Sequence, residues 1–146
     1  MSHEHQHSIT IEPKELSSGS ILATSNLSEE DNIAVSNNRV SLQTIGHDGI
    51  EDAPSMLSPI ELILVSLARS TIQVLRLAIE VKGLEINNLH VAVSQQREEN
   101  DMIVTREIII DGHASDEERE ALKDMAERCP IQKLLRNGTT VETVIA

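Results

Sequence analysis

The sequence predicts an α+β domain in which antiparallel strands accompany one long central helix. Three features carry that expectation: a capped, almost wholly apolar segment from Ser58 to Lys82, short alternating segments before it, and two more alternating runs after it. With 146 residues the chain suits one domain, large enough to bury roughly two thirds of its unfolded surface without disulfides. Residues 1–8, MSHEHQHS, read as a flexible tail, and residues 9–146 as a single domain. His3, His5 and His7 alternate in that tail. Imidazoles so spaced can share a metal ion, but a mobile terminus loses entropy in holding one and lacks fixed surroundings. No metal site and no cofactor is therefore expected.

From Ile9 to Ile45 the segments SITIE, SILATS, NIAVS and RVSLQT are short and partly alternating, with Gly, Asn and Ser between them, which is the pattern of strands and turns. GHDGIEDAPSML, which leads into the helix, reads as a loop. The helix start is explicit. Ser58 stands as cap, Pro59 in the first helical position and Glu61 three residues after the cap, so two orphan backbone donors are satisfied reciprocally. Lys82 in the last turn and Gly83 beyond it mark the stop. The rod between them is roughly 36 Å long at the helical rise.

Apolar side chains surround most of this rod, which marks it for burial on nearly all sides. One small domain can hardly cover so long an apolar helix, so a partner chain is expected. Arg69, Gln73, Arg76 and Glu80 follow helical spacing and form the expected solvated stripe. After Gly83, runs near Leu89–Gln95 and Met102–Asp111 read as a hairpin joined by the charged loop QQREEND. Ser115 and Glu118 repeat the capping box, opening a helix that places Leu122, Met125, Ala126 and Cys129 on one face. Pro130 starts a short helix through Arg136, and Asn137-Gly138 turns the chain toward a final strand, TTVETVI.

Composition excludes several functions. A formal charge of −12 opposes nucleic-acid binding, which depends on basic side chains displacing counterions, and acidic membranes should repel the chain. Glu61, Arg69, Gln73, Arg76 and Glu80 interrupt the apolar segment at depths that are costly in hydrocarbon, so it is expected to be a soluble core helix. The single cysteine, Cys129, rules out an intramolecular disulfide, and with no secretion signal evident the cytoplasm is the expected location. The chain has no Phe, Tyr or Trp. Ile, Leu, Val and Met must fill the core, which volume-conserving exchange permits, including deliberate exchange in a chain engineered to be free of aromatics.

Two segments together resemble the OsmC/Ohr family, the osmotically inducible protein C and organic hydroperoxide resistance proteins: SPIELILVSLARSTIQVLRLAIEVKGL, residues 58–84, and ERCPIQKLL, residues 127–135. In that family a Ser/Asn-Pro start leads into a long helix with a cysteine eleven residues after the proline, and a later Cys-Pro opens another helix. Ser70 stands eleven residues after Pro59, and Cys129-Pro130 supplies the second motif. The resemblance implies an OsmC-like fold, an intertwined homodimer with antiparallel sheets wrapped around the long helices, and thiol-dependent reduction of hydroperoxides.

The chain departs from the family at the chemical centre. Where the resemblance implies a peroxidatic cysteine it has Ser70, and where it implies the resolving cysteine it has Cys129. A hydroxyl cannot follow the sulfur oxidation ladder that the reaction needs, so the dithiol cycle is expected to be lost. Ser70 as a nucleophile would need a base and an orienting group, and no pattern links His47, His90 or His113 to it. A small side chain at a close helix contact is the preferred reading. Cys129 has two open readings, an inert buried thiol or a thiol made acidic near the start of the Pro130 helix. The resemblance also implies an arginine and a glutamate beside the thiolate, but no motif places them. Arg39 precedes the helix without an anchoring motif, Glu61 is explained by capping, and Arg69 stands either beside the pocket or in the solvated stripe. Three functions remain: a redox-type protein with lost peroxidase chemistry, a dimer that binds a small apolar molecule or hydroperoxide without chemistry, and a chain made to fold without aromatics.

Overall fold

The computed structural model describes residues 19–27, 32–37, 41–45 and 57–146, with the backbone alone for Asn32 and residues 41–45. The elements run β1 Ile21–Asn26, β2 Asn32–Ser36, β3 Ser41–Ile45, α1 Pro59–Lys82, β4 Glu85–Glu98, β5 Asp101–His113, α2 Asp116–Ala126 and α3 Pro130–Asn137. The strands form one antiparallel sheet in the order β3-β2-β1-β4-β5. The mixed α+β class is thus as expected.

Local chemistry makes α1. Ser58 Oγ accepts from the Glu61 backbone N–H at 3.1 Å, and Glu61 Oε1 accepts from the Ser58 N–H at 2.9 Å. At the other end Gly83 adopts φ 65, a left-handed conformation that costs a residue without Cβ nothing. Glu61 is also buried, and its Oε2 accepts from Asn37 Nδ2 at 3.1 Å, so the cap is tied to the end of β2. By length and composition α1 would pass for a membrane span. Its Leu64, Ile72 and Leu75 are instead fully buried in the core, each worth about 1.5–3 kcal/mol of burial.

The sheet meets α1 through alternate residues. Ile21 lies opposite Val93, and Ala23 opposite Val91, all four with no exposed surface, so period-two alternation puts one apolar layer against the helix. α2 and α3 pack on α1 as well. Near the start of the β4/β5 hairpin the register shifts between Ile86 and Asn88. Gly112 pairs there with Ile86 at φ 146, and a Cβ on it would collide with the Glu85 carbonyl oxygen. Only glycine fits that position.

Several expectations need correction. QQREEND is not a loop: β4 continues to Glu98, β5 begins at Asp101, and Glu99-Asn100 makes a two-residue turn with Glu99 at φ 52. Polar residues on strands exposed at a hairpin tip look like a loop in sequence, yet cross-strand pairing holds them. His113, expected in a turn, is the last residue of β5. The final strand is absent; residues 138–146 form no regular structure, and Val141, Val144 and Ile145 are exposed. A strand needs a neighbour, and no described strand pairs with this segment.

Of the polar stripe only Glu80 is exposed, so it is not the solvated face as a whole. Arg69, Gln73 and Arg76 are half-buried, and Arg76 Nη1 donates to Ser25 Oγ at 2.6 Å. Solvent instead meets the apolar line Ile63, Leu77 and Val81, with Leu77 61% and Val81 78% exposed. The Ser25 hydroxyl and Asn26 carbonyl at the end of β1 hold Arg76 inward, a preference that periodicity within one helix cannot register. The expected strand in SITIE, and Arg39, His47 and the alternating tail histidines, lie outside the described residues.

Candidate functional site

The site forms where the middle of α1 meets the junction of α2 and α3. Cys129 is not on the face of α2, as its spacing suggested, but is the cap residue of α3, fully buried. α2 ends because the chain must turn into Pro130, which occupies the first position of the next helix. The turn leaves the Cys129 sulfur accepting from the Gln132 backbone N–H at 3.4 Å. Across from it on α1 stand Ser70 and Thr71. Ser70 lies near enough to Cys129 to favour its thiolate.

Three further residues surround the thiol. Arg106 Nη1 donates to Thr71 Oγ1 at 3.0 Å, and its Nη2 donates to Gln132 Oε1. Glu127 Oε2 lies 3.9 Å from Arg106 Nη2 and 3.4 Å from Arg136 Nη2, and accepts from Gln132 Nε2. Thr71 has one proton, and the Leu67 carbonyl oxygen at 2.7 Å has a better claim to it than the Cys129 sulfur at 4.0 Å. Burial pushes the Cys129 thiol up. Ser70 and the Gln132 N–H, followed by the long Thr71 contact and the Arg106 charge, together outweigh burial and hold it below the ordinary thiol value. Of the two readings of Cys129, the acidified thiol is the one the geometry favours.

Arg106, Glu127 and Gln132 were not singled out from sequence. A signal for Arg106 existed. In VTREIII it shares the inward parity of Val104, Ile108 and Ile110, and a lone cation among inward apolar residues marks a polar site. No comparable signal existed for Glu127, which is half-exposed on a polar helix end. Arg69 is absent from this cluster; its Nε and Nη2 are buried without a partner among the described residues. His90 is bonded through Nδ1 to Thr24 at 2.9 Å. No described cluster of His, Cys, Asp and Glu has the grouping of a metal site.

Beside the thiol cluster a cavity of about 430 Å³ opens between β5 and α3. Leu67, Met102, Val104 and Leu135 form its apolar wall. Arg106, Glu127, Gln132 and Arg136 form its polar side. The volume lies within the roughly 300–1,000 Å³ typical of small-molecule sites.

The profile of the OsmC-like protein family matches residues 51–144. The chain belongs to that family. An OsmC-like hydroperoxide resistance protein from Jannaschia sp. CCS1 has a similar structure, with a TM-score of 0.55 at 13% identity, covering 84% of this chain and 89% of that one. An OsmC-like protein from Mycoplasma pneumoniae gives a TM-score of 0.45 at 19% identity over 79% of this chain and 85% of its own. Only the first likeness bears on the OsmC-like fold, and at that identity it bears on nothing else. No curated protein sequence matches the chain.

Proposed function

We propose that this OsmC-like protein lacks the dithiol hydroperoxide cycle and acts as a homodimer that binds a small molecule beside Cys129. The observation that carries the reading is that a hydroxyl, Ser70, and no second thiol stands near Cys129, the one cysteine of the chain. A thiolate at Cys129 can attack the terminal oxygen of a hydroperoxide, breaking the O–O bond and releasing the alkoxide as an alcohol, and become a sulfenic acid. With an oxygen at Ser70 no second thiol stands opposite to condense with it, and the cycle stops after one oxidation. What remains is an acidic thiol next to a formed cavity.

The homodimer is supported by the exposed apolar line Ile63, Leu77 and Val81 on α1, and by the unpaired apolar segment at residues 141–145. Soluble chains rarely leave such a face uncovered. Helices wrapped by sheets from both chains would cover it.

The test is consumption of an organic hydroperoxide in the presence of excess dithiol. The expected rate equals that of Cys129→Ser, with at most one oxidation per chain. Sustained turnover that depends on Cys129 would overturn the reading.

A further inference from the structure

We infer that the cavity between β5 and α3 selects small amphiphiles bearing one negative charge, carboxylates foremost, with the head group between Arg106 and Arg136 and the tail on the apolar wall. This deepens the binding reading above and rests on it.

The inference starts from charge. The chain as a whole carries −12, yet the charged groups lining this cavity are two guanidiniums and one carboxylate. Glu127 is shared by both arginines through the same oxygen, at 3.9 Å and 3.4 Å, so it offsets one positive charge and, while Cys129 holds its proton or is replaced by serine, leaves one over. A local cationic surplus in an acidic protein repels cations weakly and draws a monoanion.

The donors are also in surplus. A guanidinium has N–H groups directed along two edges, suited to a carboxylate. Arg106 directs its Nη1 to Thr71 and its Nη2 to Gln132 and Glu127, and is thereby held in place. Arg136 has only Glu127 among the described residues, and its side chain is 60% exposed at the mouth. A head group there keeps part of its hydration while gaining a fixed and a movable arginine. Inward of the mouth the wall offers Leu67, Met102, Val104 and Leu135 and no further charge, so the rest of the ligand must be apolar. A doubly charged head group would exceed the surplus, and a fully apolar ligand would leave the arginine donors unused.

Binding of sodium octanoate and of octan-1-ol, matched in chain length, tests this by titration calorimetry, with methyl resonances of Met102 and Leu135 reporting the location. Both are run on the native chain and on Cys129→Ser, so the result is independent of any thiol chemistry and of the peroxide assay. Octanoate should bind at least about tenfold more tightly than octanol, with the advantage shrinking as salt rises. Arg136→Glu, an exposed change that turns the surplus into a deficit, should abolish the preference, and Glu127→Gln should strengthen octanoate binding. Equal affinity for the two probes, octanoate binding untouched by Arg136→Glu, or shifts away from Met102 and Leu135 would each overturn the inference. Failure here with hydroperoxide turnover still absent leaves the lost dithiol cycle standing; turnover with octanoate bound does the reverse.

Discussion

Ser70 on α1 lies near enough to Cys129 at the start of α3 to favour its thiolate, across a sequence separation that neither helix could bridge alone. Replacing one atom of that pair tests the geometry directly. In Ser70→Cys, mild hydroperoxide should close an intramolecular disulfide, a bond that requires Cα atoms within about 7 Å and so reads out how closely the two positions approach. Mass spectrometry should show loss of two thiols within one chain. Thiols that stay free, or bonds formed only between chains, would contradict the pairing.

The thiol should ionise below the ordinary thiol range, and its neighbours should set by how much. The chain has one cysteine and no Tyr or Trp, so thiolate absorbance in the ultraviolet can be followed without interference. Ser70→Ala should raise the midpoint more than Arg106→Gln, following the order of their influence. Because the folded state releases this proton at lower pH than the unfolded chain, the stabilisation it brings is present above the unfolded value and lost as pH falls through the folded one. A midpoint unmoved by both variants would show that burial alone governs the thiol.

His90 should titrate below its ordinary value of 6.5, because burial disfavours its cation more than nearby Asp111 favours it. Its Nε2 has no partner among the described residues, so a second proton would meet no acceptor. The unfolded chain takes up that proton first, and stability should therefore fall as pH drops below 6.5. Imidazole resonances followed against pH, with denaturant midpoints at the same values, check the sign. A His90 midpoint above that of the other histidines would refute it.

Leu64 and Leu75 have no exposed surface. Truncating either to Ala should cost about 2–5 kcal/mol in denaturant unfolding, and Asp at either should unfold or aggregate the chain. Near-neutral variants at both would mean that the helix is not the core.

Leu77→Asp probes the opposite face. A lone protomer should tolerate a charge at this exposed position within about 0.5 kcal/mol. A homodimer built on the Ile63, Leu77 and Val81 line should dissociate, visible as halved mass in sedimentation. A native chain that sediments as a monomer at every concentration would remove the homodimer.

By itself the sequence determined what is local. Both capping boxes, the Pro59 start, the Gly83 stop and the burial of Leu64, Leu75 and Leu122 depend on contacts within about one helical turn or on the periodicity of one face, and both are written in consecutive residues. The tertiary structure decided the rest. Only pairing across the hairpin carried β4 and β5 through a charged stretch that reads as loop, and only the lack of a neighbouring strand left residues 138–146 without regular structure. Arg106 reached the site because strand parity points it at Thr71 and Gln132, and Glu127 because the chain turns at Cys129-Pro130 to bring α2's end beside it. Such contacts join residues far apart in sequence, where no propensity or spacing acts, so their energies exist only once the chain has folded around them.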